Sequence, residues 1–248
     1  MGSEDSRSQS KDTPEVTVKA ATAVQRRPDR QYPLILALAF ATAVCAGLLA
    51  LRMAYTRGIT YFFLLWNLFL AWLPLLSALV AYNLHSRWLS FTSVLVAASA
   101  VVWLVFFPNA PYILTDILHL QAGDVPLWYD LILLISFAWT GSFLGHVSLY
   151  LMQIIVRRIV GPIWSWVFAL GTLGLGSLGI YLGRFQRWNS WDLLHRPLDI
   201  LRDIWQPIRH PFAHPQTVAF SVLFYLFLVA SYWMMVALVD FGRDVDPV

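Results

Sequence analysis

The chain has 248 residues, of which 58% are hydrophobic and only 12% are charged. An average soluble domain has about 25% charged residues, so a water-soluble fold is excluded: it could not cover this much apolar surface. The net charge is +3, but the basic residues are scattered over loops and tails. They form no basic stripe of the kind that binds nucleic acid. The single cysteine, Cys45, excludes an intramolecular disulfide and a thiolate metal cluster.

The chain divides into a polar tail at residues 1–31, a membrane domain at 32–240 and a short carboxyl-terminal tail at 241–248. We expect the first tail to be disordered, because it has too few large apolar side chains to offset its ordering entropy. Three arginines precede the first apolar run, which is long enough to span a bilayer. This pattern indicates a retained signal anchor rather than a cleaved signal peptide.

Six apolar segments reach or approach the ~20 residues that a helix needs to cross a bilayer core of about 30 Å. In chain order they cover residues 33–51, 61–84, 91–107, 127–156, 159–183 and 217–239. They predict an all-α polytopic transmembrane helix bundle of about six spans. Within the second segment, Pro74 predicts a kink, and Asn67 predicts a polar contact between helices.

The fifth segment contains a G-x-G-x-x-G spacing at Gly174, Gly176 and Gly179. A dinucleotide-binding turn needs a preceding strand, and here the glycines lie inside an apolar span, so we reject that interpretation. Small residues in a membrane helix instead predict a close approach of another helix. The residues concerned are Gly171, Gly174, Gly179 and Gly183, with Ser177.

Two polar segments differ from the rest of the chain. The first, residues 106–119, reads FFPNAPYILTDILH. Its prolines, Pro108 and Pro111, predict the end of the third span. Asn109 is a turn former whose side chain can bond to nearby backbone. A short helical turn after it places Asp116 and His119 on one face.

The second polar segment, residues 183–192, reads GRFQRWNSWD. It carries Arg184 and Arg187 three residues apart, and Asn189 or Ser190 is suited to cap a following helix with Asp192 in its first turn. Apolar residues then recur at intervals of three and four, which predicts an amphipathic helix, either interfacial on the membrane or a short lid against the bundle. They are Trp191, Leu194, Leu198, Leu201 and Trp205.

The segments FFPNAPYILTD and GIYLGRFQRWNSWD, with six spans, resemble the bacterial membrane family known as domain of unknown function 1361. The resemblance covers about residues 33–239. It implies a multi-pass protein of the bacterial inner membrane, and it brings no activity, substrate or cofactor with it.

In a six-span arrangement both polar segments lie on the same side of the membrane. One interpretation is structural: Asp116 or Asp130 pairs with Arg184 or Arg187 and fixes the packing of two hairpins. The other is a site for a phosphate- or carboxylate-bearing lipid or lipid-linked ligand, with Asp116 and His119 as catalytic acid and base. The ligand-binding candidates are Asn109, Tyr112, Arg184, Arg187, Asn189 and Asp192.

The sequence is compatible with other functional classes. A metal site at Asp116, His119 and Asp192 has only a weak spacing signal, and prolines interrupt the pair His210 and His214, so we predict neither a metal nor a cofactor. A transporter or channel is disfavoured because His146 is the one ionisable residue well inside a span. A role as an assembly partner without catalysis is the remaining alternative, and the oligomeric state is not predicted.

The orientation follows from the arginines near the span ends. Their count favours a cytoplasmic amino terminus, provided that the long loop before the last span is discounted. Both polar segments would then lie on the non-cytoplasmic face.

Overall fold

A computed structural model describes residues 31–85, 90–121, 125–188 and 192–245. These residues are largely helical and include no β-strand, which confirms the predicted all-α class. The elements in chain order are α1 (Gln31–Thr56), α2 (Phe63–His85), α3 (Ser90–Phe106), α4 (Asn109–Tyr112), a 3₁₀ helix (Ile113–His119), α5 (Leu127–Val160), α6 (Pro162–Phe185), α7 (Asp192–His195), α8 (Pro197–Arg209), a second 3₁₀ helix (Pro211–Ala213) and α9 (Pro215–Val245). The predicted disordered tail, except Gln31, lies outside the described residues.

Six helical segments of the described chain are long and apolar enough to cross a membrane, as the sequence predicts. Five of them are single helices. The third, Val94–His119, is composite, because α3 is followed by α4 and the first 3₁₀ helix. With 17 residues, α3 alone is about 25 Å long and falls short of the ~30 Å hydrocarbon core. The two short helices therefore complete the third span.

Residues 38–248 form one compact unit, and residues 1–37 form another, of which the structure describes only the first turns of α1. Within residues 38–248, α5 is the most buried of the six spans and packs against α2 and α6. One apolar cluster joins α1, α2, the first 3₁₀ helix and α5. A second joins α3, α6 and α9 to the other half of α5. Besides its bulky apolar side chains, the buried part of α5 includes several small and polar residues near the middle of the helix, namely Thr140, Gly141, Ser142, Gly145 and Ser148.

The glycines of α5 and α6 make room for the irregular segment between α3 and the first 3₁₀ helix. A Cβ atom added to Gly141 would lie 2.8 Å from the Ala110 carbonyl oxygen, and one added to Gly179 would lie 3.1 Å from Pro108. The close approach predicted for Gly179 is therefore confirmed, but its partner is a proline turn and not a regular helix. The prediction is wrong for Gly171, where an added Cβ would meet nothing within 4 Å.

Candidate functional site

The third span breaks its regular α-helix at Pro108, and polar side chains satisfy the backbone beyond the break. The Asn109 amide donates to the Phe106 carbonyl at 3.1 Å, as its position in the turn predicts. The Arg184 guanidinium donates to the Thr115 carbonyl at 2.7 Å. The Tyr61 hydroxyl donates to the His119 carbonyl at 2.9 Å. Irregular backbone inside a membrane protein is tolerated only where such partners exist, because lipid supplies none.

Asp116 lies at the centre of these contacts and is 1% exposed. Its Oδ2 accepts a hydrogen bond from the Asn67 side-chain amide at 2.8 Å, and its Oδ1 accepts one from Arg184 Nη1 at 3.1 Å. The polar contact predicted for Asn67 is thus confirmed, and its partner is a carboxylate. One of the ion pairs that the sequence leaves open, Asp116 with Arg184, is present in the structure.

Arg184 directs its two terminal nitrogens at four groups. Nη1 donates to Asp116 and, at 3.4 Å, to the Tyr112 hydroxyl, while Nη2 donates to the Thr115 carbonyl and lies 2.8 Å from His119 Nδ1. Because a guanidinium has only donors, Nδ1 of His119 is the acceptor in this hydrogen bond. The cluster of Asn67, Tyr112, Asp116, His119 and Arg184 is hereafter the polar cluster. Within the polar cluster, the positive charge of Arg184 balances the negative charge of Asp116.

A second buried ion pair lies on the same side and was not predicted. Arg52 Nε donates to Asp130 Oδ1 at 2.7 Å, and its Nη2 donates to Oδ2 at 2.9 Å. The structure therefore corrects the alternative in which Asp130 pairs with Arg184 or Arg187. The sequence carries only part of the signal: the two residues have opposite charges at the ends of two apolar segments, but nothing in it makes those segments neighbours.

Tyr61 connects this ion pair to the polar cluster. Its ring lies under the Arg52 guanidinium, 4.5 Å from the centroid, and its hydroxyl reaches the His119 carbonyl. Its backbone φ of 68° falls in the left-handed region, which bulky residues rarely adopt. Burial, with a smaller contribution from the Asp130 carboxylate, raises the pKa of the Tyr61 phenol. The phenol therefore stays neutral and keeps its proton for the hydrogen bond.

Among the remaining candidates that the structure describes, Arg187 and Asp192 are not part of the polar cluster. Arg187 follows α6, is exposed, and has no ion-pair partner among the described residues. Asp192 begins α7, and Asn189 lies outside the described residues. In the part of the chain that the structure describes, Asp116, His119 and Asp192 do not form a group that could hold a metal ion. His210 and His214 flank a 3₁₀ helix.

Beside the polar cluster lies a cavity of about 300 Å³, hereafter the motif cavity. Asn67 and Tyr112 belong to both the polar cluster and its wall, and Asn109 lines it as well. Most of the other lining residues are apolar. They are Trp66, Leu70, Val105, Phe106, Pro108, Leu175, Leu178, Gly179, Leu182, Gly183, Trp188, Ile200 and Ile204. The cavity is therefore apolar with a few hydrogen-bonding groups, the composition typical of ligand sites.

One side of α8 covers the motif cavity. Ile200 and Ile204 line it, and the Asp203 carboxylate accepts a hydrogen bond of 2.9 Å from the indole of Trp188. The predicted apolar stripe lies elsewhere on the helix, since Leu198 and Trp205 are 77% and 60% exposed. The amphipathic helix is confirmed, and it is a lid over the cavity that also presents an apolar surface outward. Trp191 lies outside the described residues.

His146 is buried in α5 and bonds to a neighbouring helix. Its Nε2 lies 3.0 Å from Ser231 Oγ of α9, and its ring stacks on Tyr232. This is an ordinary packing contact between two spans, and His146 does not line the motif cavity.

These features define a multi-pass α-helical membrane protein with a composite third span and a covered cavity at one end of the bundle. The chain belongs to the family described as protein of unknown function (DUF1361), whose family model matches residues 66–231. The match contains both polar segments and most of the described spans. No curated protein and no solved structure matches the chain.

Proposed function

We propose that this membrane protein binds a lipid, or a lipid-linked molecule, in the motif cavity. The observation that carries the proposal is the polarity of the cavity wall along the helices. Val105 and Leu175 form one end of the wall, and Asn67 and Tyr112 form the end near the polar cluster. From Gly183 to Leu175 the wall extends about 12 Å along α6. A lipid likewise has a polar head group at one end and apolar acyl chains at the other.

The motif cavity also borders the surface that would face lipid. Trp66 of α2 and Leu175 of α6 line the cavity, and their side chains are 56% and 54% exposed. In membrane-spanning helices such exposed apolar side chains contact acyl chains. A lipid can therefore enter sideways between these two helices, while α8 closes the end of the cavity.

The arginine best placed for a phosphate or carboxylate is Arg187 and not Arg184. Arg184 already directs both terminal nitrogens at protein acceptors, and Asp116 neutralises its charge. Arg187 is exposed and adjoins Trp188, whose side chain lines the motif cavity. We assign to Arg187 the contact with an anionic group of the ligand.

The burial and hydrogen bonding of Asp116 favour a binding protein over a catalyst. A general acid or base must reach the atom with which it exchanges a proton. The Asp116 carboxylate is almost completely buried, both of its oxygens are bonded within the protein, and it does not line the motif cavity. Its contacts serve the broken third span, so we assign it a structural role.

We further propose that the protein resides in a bacterial inner membrane, with a cytoplasmic amino terminus and the motif cavity on the opposite side. The support is the arginine count near the span ends. The contacts of Arg52 with Asp130 and of Arg184 with Asp116 are consistent with a common side for these span ends.

The binding proposal is tested by filling the motif cavity. Val105→Trp places an indole in the cavity, while Val102→Trp makes the same change on the same helix at a residue that is 46% exposed and outside the wall. Binding of a fluorescent phospholipid to the protein in nanodiscs is expected to weaken about tenfold for Val105→Trp only, which corresponds to ~1.4 kcal/mol. Equal binding by both variants and the wild type would contradict the proposal.

A second measurement isolates Arg187. Arg187→Gln is expected to reduce binding of phosphatidylglycerol and to leave that of phosphatidylcholine unchanged, because only the first has net charge. Arg202→Gln, at an exposed position of α8 outside the cavity wall, is the matched control. If both arginine variants behave alike, the assignment of Arg187 is wrong.

A further inference from the structure

A second cavity, of about 500 Å³, lies at the ends of α2 and α6 opposite those that line the motif cavity. It is hereafter the arginine cavity. Its wall combines the last three turns of α5, the first turns of α6 and the carboxyl-terminal parts of α2 and α9. The residues that matter for its chemistry are Tyr82, Gln153, Arg157, Arg158, Trp166 and Asp240.

Two arginines outnumber one carboxylate in this wall. Arg157 and Arg158 are exposed at the rim, and neither takes part in an ion pair within the described ranges. The Arg158 guanidinium lies over the Tyr82 ring at 5.5 Å from its centroid. With Asp240, the described residues of this wall carry a formal net charge of +1, which favours an anion. Arginine is well suited to phosphate, because its donors match the spacing of phosphate oxygens.

Charge at the end of α5 also has a plainer explanation, since arginines favour helix carboxyl termini and cytoplasmic loops. Those preferences of arginine do not account for the buried side-chain amide of Gln153 in the same wall. Gln153 is 6% exposed and lines the arginine cavity. Its side-chain oxygen accepts a hydrogen bond from the Tyr232 hydroxyl. Its NH₂ group has no hydrogen-bond partner among the described residues. The Gln153 amide therefore places a hydrogen-bond donor one helical turn before Arg157, where it can bind an anion together with the arginines.

We propose that the arginine cavity binds a phosphate group, at the face opposite the polar cluster. Basic pockets between membrane helices are typical sites for anionic lipid head groups. Here Ile154, Trp166 and Val236 provide apolar surface beneath the arginines for the first part of an acyl chain. The volume lies within the roughly 300–1,000 Å³ of ligand sites. The site is separate from the motif cavity, and the proposal does not depend on the function assigned there.

The first test uses the full-length protein in detergent micelles, with lipid binding followed by native mass spectrometry. The wild type is expected to bind phosphatidylglycerol about tenfold more tightly than phosphatidylcholine. Arg157→Gln/Arg158→Gln is expected to lose the part of this preference that remains in an Arg187→Gln background, in which the motif cavity no longer favours an anionic lipid. Arg57→Gln/Arg202→Gln removes the same charge at exposed positions outside the arginine cavity and is expected to keep it. Loss of the preference in both double variants, or in neither, would overturn the site.

A second pair of variants leaves the charge unchanged. Ile154→Trp fills the arginine cavity, and Ile163→Trp adds the same side chain at a position that is 77% exposed and outside the wall. Only Ile154→Trp is expected to weaken phosphatidylglycerol binding. This pair keeps the test valid if removal of two arginines disturbs membrane insertion.

Inorganic phosphate distinguishes the two sources of the ligand. If phosphate alone raises the melting temperature of the wild type but not that of Arg157→Gln/Arg158→Gln, and phosphatidylglycerol shows no preference, the ligand is a soluble phosphate and the site stands. If neither probe distinguishes the wild type from the double variant, the arginine cavity is not a phosphate site.

Discussion

Arg52 and Asp130 form a two-pronged ion pair in which both side chains are buried, and it joins the end of α1 to the first turn of α5. Removing one partner leaves the other charge buried without compensation. Arg52→Ala is therefore expected to lower the free energy of unfolding by about 3–5 kcal/mol. The measurement is denaturant unfolding in detergent micelles. In Arg52→Met/Asp130→Leu no charge remains, so the double variant is expected to be more stable than Arg52→Ala. A double variant as unstable as the single one would contradict this account.

The polar cluster allows a double-mutant cycle on Asp116 and Arg184. Each of Asp116→Asn and Arg184→Gln removes one charge of the pair and leaves the other inside the cluster. We expect a coupling free energy of about 1–3 kcal/mol in unfolding measurements. Additive effects would show that the two side chains stabilise the fold independently.

The glycine at the α5 surface that meets α4 is expected to tolerate no side chain. Gly141→Ala places a methyl group 2.8 Å from both the Ala110 carbonyl oxygen and a methyl carbon of Ile113, so we expect a loss of about 1–3 kcal/mol. Gly171→Ala adds the same methyl group where nothing lies within 4 Å. It is expected to be neutral or slightly stabilising. Equal unfolding free energies for the two variants would rule out the tight contact.

The lid formed by α8 is held in part by the hydrogen bond between Trp188 and Asp203. Asp203→Ala removes the acceptor, so we expect α8 to open more often. The readout is maleimide labelling of a cysteine at Leu178, inside the motif cavity, in a Cys45→Ala background. Labelling is expected to be several-fold faster with Asp203→Ala. Asp199→Ala, at an exposed position of the same helix, is the control, and an equal rate in both would exclude a role for this bond.

The proposed orientation predicts which membrane face each loop occupies. Single cysteines at Thr60, between α1 and α2, and at Ile159, at the end of α5, occupy exposed positions. In intact cells, a membrane-impermeant maleimide is expected to label Thr60→Cys and to leave Ile159→Cys unlabelled. The reverse pattern would invert the orientation, and labelling of both would contradict the three spans that separate the two positions.

Much of this architecture follows from local sequence. The lengths of the apolar runs predict six spans, because the bilayer fixes how many apolar residues a helix needs. The parity of the spans then places both polar segments at one end of the bundle. This restricts the partners of Asp116 to a few arginines, and Arg184 is among them. Asn67 was expected to make a polar contact because a span offers its amide no water.

What the sequence does not predict depends on which helices are neighbours. The pairing of Arg52 with Asp130 requires α1 to lie against α5, and no local pattern specifies that contact. The same holds for the motif cavity, which is the space left between several helices and α8. The glycine spacing correctly indicated close packing at Gly179, but nothing in it showed that a proline turn would occupy the space.

The length of α5 has a consequence for the surrounding bilayer. Its 34 residues extend for about 51 Å, against a hydrocarbon core of about 30 Å. A tilt of 40°, near the upper limit for membrane helices, still leaves a vertical extent of about 39 Å. Part of α5 must therefore stand among the lipid head groups, or the bilayer must thicken around it. Membranes of different thickness would then change how far the two ends emerge, so synthetic bilayers of graded chain length offer a way to vary the exposure of either cavity without altering a single residue.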